Sequence, residues 1–163
     1  MLKKDGFFQY AQLAAIPVVI ALVVIAVIFG AGGNNRNTAS PCGNYRDDKA
    51  INVNGHELKT EVASTPTERA KGLAGRPCIE SNQAMLFVFD HAGRYGFWMK
   101  DMQFSIDMVW IGSGHKVVAY QANISPSTYP KRFSSAKPSQ YVLELRANRS
   151  KELGLAIGDT INF

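Results

Sequence analysis

The side chains best placed for chemistry are a few charged groups set in apolar stretches. Lys100 and Asp101 follow Phe97, Trp98 and Met99; Asp107 lies within 106–111, Glu144 within 141–145, and Arg76 upstream of them all. A buried charge is costly unless it is paired. Arg76, Trp98, Lys100, Asp101, Asp107 and Glu144 are therefore expected to form one polar cluster. As a ligand site, its cations would meet an anion, its carboxylates would meet sugar hydroxyls, and Trp98 would offer a stacking platform. As a structural network, the same charges would close the domain with salt bridges. Asp107 and Glu144 are the one carboxylate pair suited to glycoside chemistry, where separation decides the mechanism, and the sequence does not fix that separation.

Other catalytic signatures are missing. The chain has no nucleophile-elbow motif, no HExxH and no P-loop. His56, His91 and His115 fall in or beside turns, far apart in sequence, and read as surface residues. Two cysteines are too few for a four-cysteine zinc site. No catalytic residue, metal or cofactor is expected, and the reading leans away from an enzyme.

A second candidate surface is the segment 123–139, rich in serine and proline, which reads as a long loop. No acidic residue occurs from Met108 to Leu143. Tyr129 and Phe133 sit among Lys131, Arg132 and Lys137. Such a loop suits an anionic lipid surface, a polyanionic envelope polymer or an acidic protein; the plainer reading is a solvated loop with incidental charges.

These residues need elements to hold them. The chain has 163 residues, room for one ordinary domain. At 46% hydrophobic and 19% charged it is neither disordered nor a coiled coil. A formal net charge of +5 is too moderate to indicate nucleic-acid binding. Residues 13–31 are 19 uncharged, apolar positions, about 28 Å as a helix and close to a bilayer's hydrocarbon thickness. We read them as an uncleaved signal-anchor: 1–12 a cytoplasmic leader, 13–31 a single transmembrane helix, 32–48 a flexible exposed linker and 49–163 an extracytoplasmic β domain. Lys3 and Lys4 before the helix support that orientation. Ala26 and Gly30 form a small-xxx-small pair that could pack on a partner's membrane helix.

Within the domain, Asn54-Gly55 predicts a type I′ hairpin turn between 51–53 and 56–63. Thr65-Pro66-Thr67-Glu68 predicts a capped helix closed by Gly72. Further strands are expected at 85–89, 95–102, 105–111, 116–122, 141–145 and 160–163. Seven or eight short strands with one or two short helices predict a compact antiparallel β-sandwich or barrel. Cys42 and Cys78, both on the presumed outer side, are expected to form a disulfide that ties the linker to the domain.

Several of these residues also carry a resemblance. Gly72-Leu73, Arg76, 84–89, 97–102, Ile106-Asp107, 143–145 and Gly158-Asp159, in that order and spacing, resemble the prokaryotic domain-of-unknown-function family numbered 192. The match covers about 51–163. It implies a compact, mainly β domain, often secreted or membrane-tethered, and implies no activity. Cys78 stands where the family usually has an apolar residue, and Met102 where it commonly has threonine. The expected function is a membrane-tethered extracytoplasmic binding or scaffolding module, for instance an accessory subunit of an integral-membrane complex. The alternatives are a surface hydrolase acting on envelope polymers and an envelope-ligand receptor. Expected partners are the bilayer, a membrane protein and an anionic envelope polymer, but not nucleic acid.

Overall fold

The computed structural model of the chain describes residues 40–163. The leader, the apolar segment 13–31 and linker residues 32–39 lie outside the described residues. Among the described residues no helix is long and apolar enough to cross a membrane.

The first two strands, β1 (Lys49–Val53) and β2 (His56–Ala63), form the expected hairpin. Asn54 and Gly55 both take positive φ, 50° and 85°, as a type I′ turn requires. Helix α1 (Pro66–Lys71) follows with the full capping box on Thr65 and Glu68. The Thr65 and Ser64 amides hold the Glu68 carboxyl down at about 2. Gly72 ends the helix at φ 50°, and a Cβ there would come within 3.2 Å of the Phe87 ring. Glycine thus lets the helix end lie close against the sheet.

Strand β3 (Gln83–Gly93) runs parallel to β2. This corrects the all-antiparallel expectation, because α1 and residues 73–82 carry the chain back before it re-enters the sheet. Strands β4 (Ile106–Ile111), β5 (Val117–Ile124) and β6 (Ser139–Arg146) pair antiparallel, in the order β1-β2-β3-β6-β4-β5. A second short helix, α2 (Arg149–Glu152), follows β6. The expected strand at 160–163 is reduced to two isolated bridges, Lys116 to Thr160 and Asn52 to Asn162. Those bridges still matter. Asn52 and Asn162 exchange backbone hydrogen bonds at 2.8 and 3.1 Å, while the Ile161 amide donates to His115 at 2.9 Å. The C-terminal segment thereby joins the two outer strands at one end and gives the sheet a barrel's closed character, leaving less edge exposed.

Both faces of the sheet are covered. Ile51, Leu58, Leu86, Val109, Ile111, Leu143, Leu145 and Ile161 fill the inner face. Met85, Phe87, Met108, Trp110 and Val142 point to the outer face, beneath Leu73, Ile79, Met99 and Phe133. Double coverage is why 85–89 is continuously apolar and not alternating. The region 95–102 is a loop and not a strand. Only Phe97 bridges, to Phe133, through reciprocal 2.8 Å bonds. Met99 plugs the outer core at 1% exposure, and Asp101 turns the chain at φ 57°. The alternation there reflects a loop anchored by Phe97 and Met99.

Residues 40–48, expected as exposed linker, are fastened to the domain. The Cys42–Cys78 disulfide is formed, with a Cα separation of 4.8 Å. Tyr45 reaches between β2 and β3, where its hydroxyl accepts from the Glu61 and Ala84 amides at 3.0 Å each. The Lys59 and Ala84 carbonyls lie within its donating reach. Burial pushes this phenol up to about 12.

Candidate functional site

Strand register places one row of side chains across the outer face: Glu61 on β2, Met85 on β3, Glu144 on β6 and Met108 on β4. Two carboxylates therefore sit on either side of Met85, and their surroundings differ. Glu61 is 2% exposed and fully engaged. The Arg76 guanidinium donates to its two oxygens at 2.7 and 2.6 Å, and the Arg46 amide donates to Oε1 at 2.7 Å. Arg76 also lies over the Tyr45 ring, 5.7 Å from its centroid.

Glu144 is 5% exposed, and its Oε2 has no hydrogen-bond partner among the described residues. Burial alone pushes its carboxyl up to about 8, because removal from water penalises the charged form. Glu144 lies against a cavity of about 270 Å³. One wall is the end of α1 with Lys71, Gly72 and Leu73; the other is the loop bearing Trp98, Lys100, Asp101 and Met102. A second cavity of about 240 Å³, lined by Glu61, Met85 and Arg76, shares Lys71 and Gly72 with the first. Lys71 and Lys100 are exposed, and neither joins an ion pair among the described residues.

Trp98 is 41% exposed at the first cavity. The Arg132 guanidinium lies over its ring at 4.5 Å, and the Tyr129 ring meets it edge-on at 5.8 Å. The segment 125–139 thus packs against the 97–102 loop, with Phe133 buried as the anchor. Lys131 covers the Phe133 ring at 5.1 Å, and Lys137 is exposed.

Of the six residues expected to cluster, Trp98, Lys100, Asp101 and Glu144 surround one cavity. Lys100 and Asp101 are exposed, not buried as their apolar neighbours suggested. Arg76 lies next door on Glu61. Asp107 is on the opposite, inner face: it pairs in register with Leu145, whereas Glu144 pairs with Met108, and successive strand residues face opposite ways. It is fully buried and accepts from the Asn123, Asn148 and Ser150 amides and the Ser150 hydroxyl at 2.6 to 2.9 Å. A sheet lies between Asp107 and Glu144, so the carboxylate pair considered for glycoside cleavage does not exist. Among the described residues no three His, Cys, Asp or Glu side chains group to hold a metal ion.

Sequence reasoning missed Glu61, Lys71 and Tyr45. Glu61 shares the polar face of β2 with Glu57 and Lys59, and nothing local marks it as buried. Its burial comes from Arg76 and the 40–48 strap, both remote in sequence.

Comparison with known proteins gives a family and a fold. The family model for DUF192, described as uncharacterized ACR, matches residues 49–163. A protein of unknown function from Novosphingobium aromaticivorans is 26% identical, with a TM-score of 0.66, covering 70% of this chain and 84% of its own. A candidate transcription regulator from Sinorhizobium meliloti is 30% identical at the same TM-score of 0.66, covering 73% of this chain and 96% of its own. The search of curated proteins gives no match.

Proposed function

The chain belongs to the DUF192 family of uncharacterized ACR proteins, and from that premise we propose that it is a membrane-tethered extracytoplasmic binding module that holds a small ligand over Glu144. The observation that carries this reading is the cavity itself. A buried carboxyl without a partner lies against an open hollow, with an exposed tryptophan at its wall. Concave sites with apolar walls and a few convergent polar groups are the usual form of a ligand pocket. The apolar run 13–31 supports the tether. The Cys42–Cys78 bond supports an oxidising compartment outside the cytoplasm.

The description of the S. meliloti relative raises a role in transcription. The same tether and disulfide speak against that for this chain, as does its moderate charge. A scaffolding role is a second reading, favoured by the exposed patch of Trp98, Tyr129 and Arg132, which would meet a membrane-protein partner.

The test uses the full chain in detergent micelles and ligand-observed NMR against a library of small anionic, neutral and cationic compounds. Hits should vanish in Ala70→Trp, which fills the cavity from an exposed position on α1. Hits unchanged by that variant, or no hits, would remove the ligand-site reading. Protease added to spheroplasts should degrade the domain; protection until lysis would reverse the topology. Co-purification in mild detergent tests the scaffold reading, which predicts a partner lost on Trp98→Ala with Arg132→Ala.

A further inference from the structure

The groups around Glu144 differ by direction. Within the sheet its neighbours are Met85 on β3 and Met108 on β4, neither able to pair with it. Glu61, one strand beyond Met85, is matched by Arg76. Across the cavity α1 presents Arg69 and Lys71, while the loop presents Lys100 and Asp101. Arg69 is engaged, donating to the Ser64 and Val88 carbonyls beside the Phe89 ring. Among the described residues, Lys71 and Lys100 are left as free cations against the single rim carboxylate of Asp101.

A ligand cation would approach through this positive rim; a ligand anion would be drawn in by it. At the floor, a carboxyl kept neutral by burial is a hydrogen-bond donor, and the acceptor it matches best is another anion. Phe87, Leu73 and Trp98 supply apolar wall for a ligand body. The volume of about 270 Å³ lies just below the roughly 300 Å³ at which pockets for drug-sized ligands begin, which limits the occupant to a small molecule.

We propose that this cavity takes a small organic carboxylate, whose head group accepts a hydrogen bond from the Glu144 acid between Lys71 and Lys100 and whose body lies on Phe87 and Trp98. The assignment rests on the reading of the cavity as a ligand site and names its chemical class. The proton stays on Glu144 or is shared across the bond, and no covalent step is involved.

Three probes share one ring and differ in the head group: benzoate, benzyl alcohol and benzylamine. Each is titrated against the full chain in micelles by ligand-observed NMR at pH 6.5, 7.5, 8.5 and 9.5. Benzoate should saturate at pH 6.5, bind at least tenfold more tightly than benzyl alcohol, and be lost in Ala70→Trp. As the pH rises above the Glu144 transition its affinity should fall by up to about tenfold per unit, since only the acid form donates. Glu144→Gln supplies an amide donor that does not titrate, and should bind benzoate without that pH dependence. Preference for benzylamine would overturn the carboxylate class, as would a wild-type profile identical to that of Glu144→Gln. Binding that persists in Ala70→Trp would place benzoate elsewhere and overturn the assignment. If none of the three probes binds while the library yields cavity ligands, only the carboxylate class falls. If the library is also empty, the ligand-site reading falls with it.

Discussion

Asp107 and Glu144 stand one register step apart on paired strands, β4 and β6, on opposite faces of one sheet. Both are buried, at 0% and 5% exposure. Asp107 receives four hydrogen bonds from two separate pieces of chain: Asn123 at the end of β5, and Asn148 with Ser150 at the start of α2. Two of the donor residues, Asn123 and Asn148, hold positive φ of 55° and 67°, a conformation that asparagine tolerates better than most residues. The backbone is bent to bring its amides to Asp107. Nothing of the kind happens at Glu144. Burial alone therefore does not separate a structural carboxylate from a candidate binding one; the supply of donors does.

The largest expected effect comes from breaking the satisfied side. Asp107→Ala strands the buried Ser150 amide and hydroxyl, each costing about 1–3 kcal/mol unpaired, and removes the part-buried bonds from the Asn123 and Asn148 amides. We expect a loss of at least about 4 kcal/mol in urea unfolding, or no folded protein. A loss below about 1 kcal/mol would mean that the end of β5 and the start of α2 hold in place without it.

The disulfide comes next. Its partners are 36 positions apart, and chain entropy assigns about 3–4 kcal/mol to a loop of that size. The bond also secures the strap whose Arg46 amide and Tyr45 hydroxyl serve Glu61 and its strand. Cys42→Ser with Cys78→Ser should therefore destabilise the outer face by about that amount and speed hydrogen exchange at the Glu61 amide. Unchanged exchange there would show that Arg76 and Tyr45 hold the strap unaided.

Local chemistry was legible in the sequence wherever it was local. The Asn54-Gly55 turn, the Thr65–Glu68 capping box and the Gly72 stop all depend on residues within a few positions. The long-range outcomes were not. Asp107 and Glu144 are expected in one cluster from the sequence, and only the pairing of Asp107 with Leu145 and of Met108 with Glu144 puts them on different sides of the sheet. The parallel β2–β3 pair depends on the path of residues 64–82, which no periodicity reveals. At 95–102 the alternation imitated a strand because Phe97 and Met99 anchor a loop at every second position. Tyr45, in a polar stretch read as linker, gave no sign that it would fill a gap between strands.

Glu144→Gln tests the unsatisfied side and should have the opposite sign to Asp107→Ala. The folded-state value is raised from about 4.5 to about 8, so the folded chain retains a proton that the unfolded chain releases. Its stabilising influence is complete below about pH 4.5 and is lost as the pH rises through 8. Wild-type stability should accordingly decline across that window, and Glu144→Gln should remove this component of the slope. The variant should gain about 1–3 kcal/mol at pH 8 and nothing at pH 4.5. A variant that is less stable at pH 8 would mean that the carboxylate has a partner in solution, and the contrast with Asp107 would collapse.

The smallest stability effect is expected at Trp98, and there the contrast between fold and site becomes sharpest. Its ring is 41% exposed and touches Arg132 and Tyr129, themselves surface residues. An exposed cation–π contact contributes about 0.5–1 kcal/mol, so Trp98→Ala should destabilise by no more than about 1 kcal/mol. If the cavity binds a ligand against this ring, the same substitution should weaken benzoate by at least about tenfold, because stacking on an aromatic wall is lost. Parallel urea unfolding and ligand-observed titration of the one variant separate the two effects. A large stability loss with unchanged binding would assign Trp98 to the packing of the 125–139 segment. A small stability loss with weakened binding would assign it to the site.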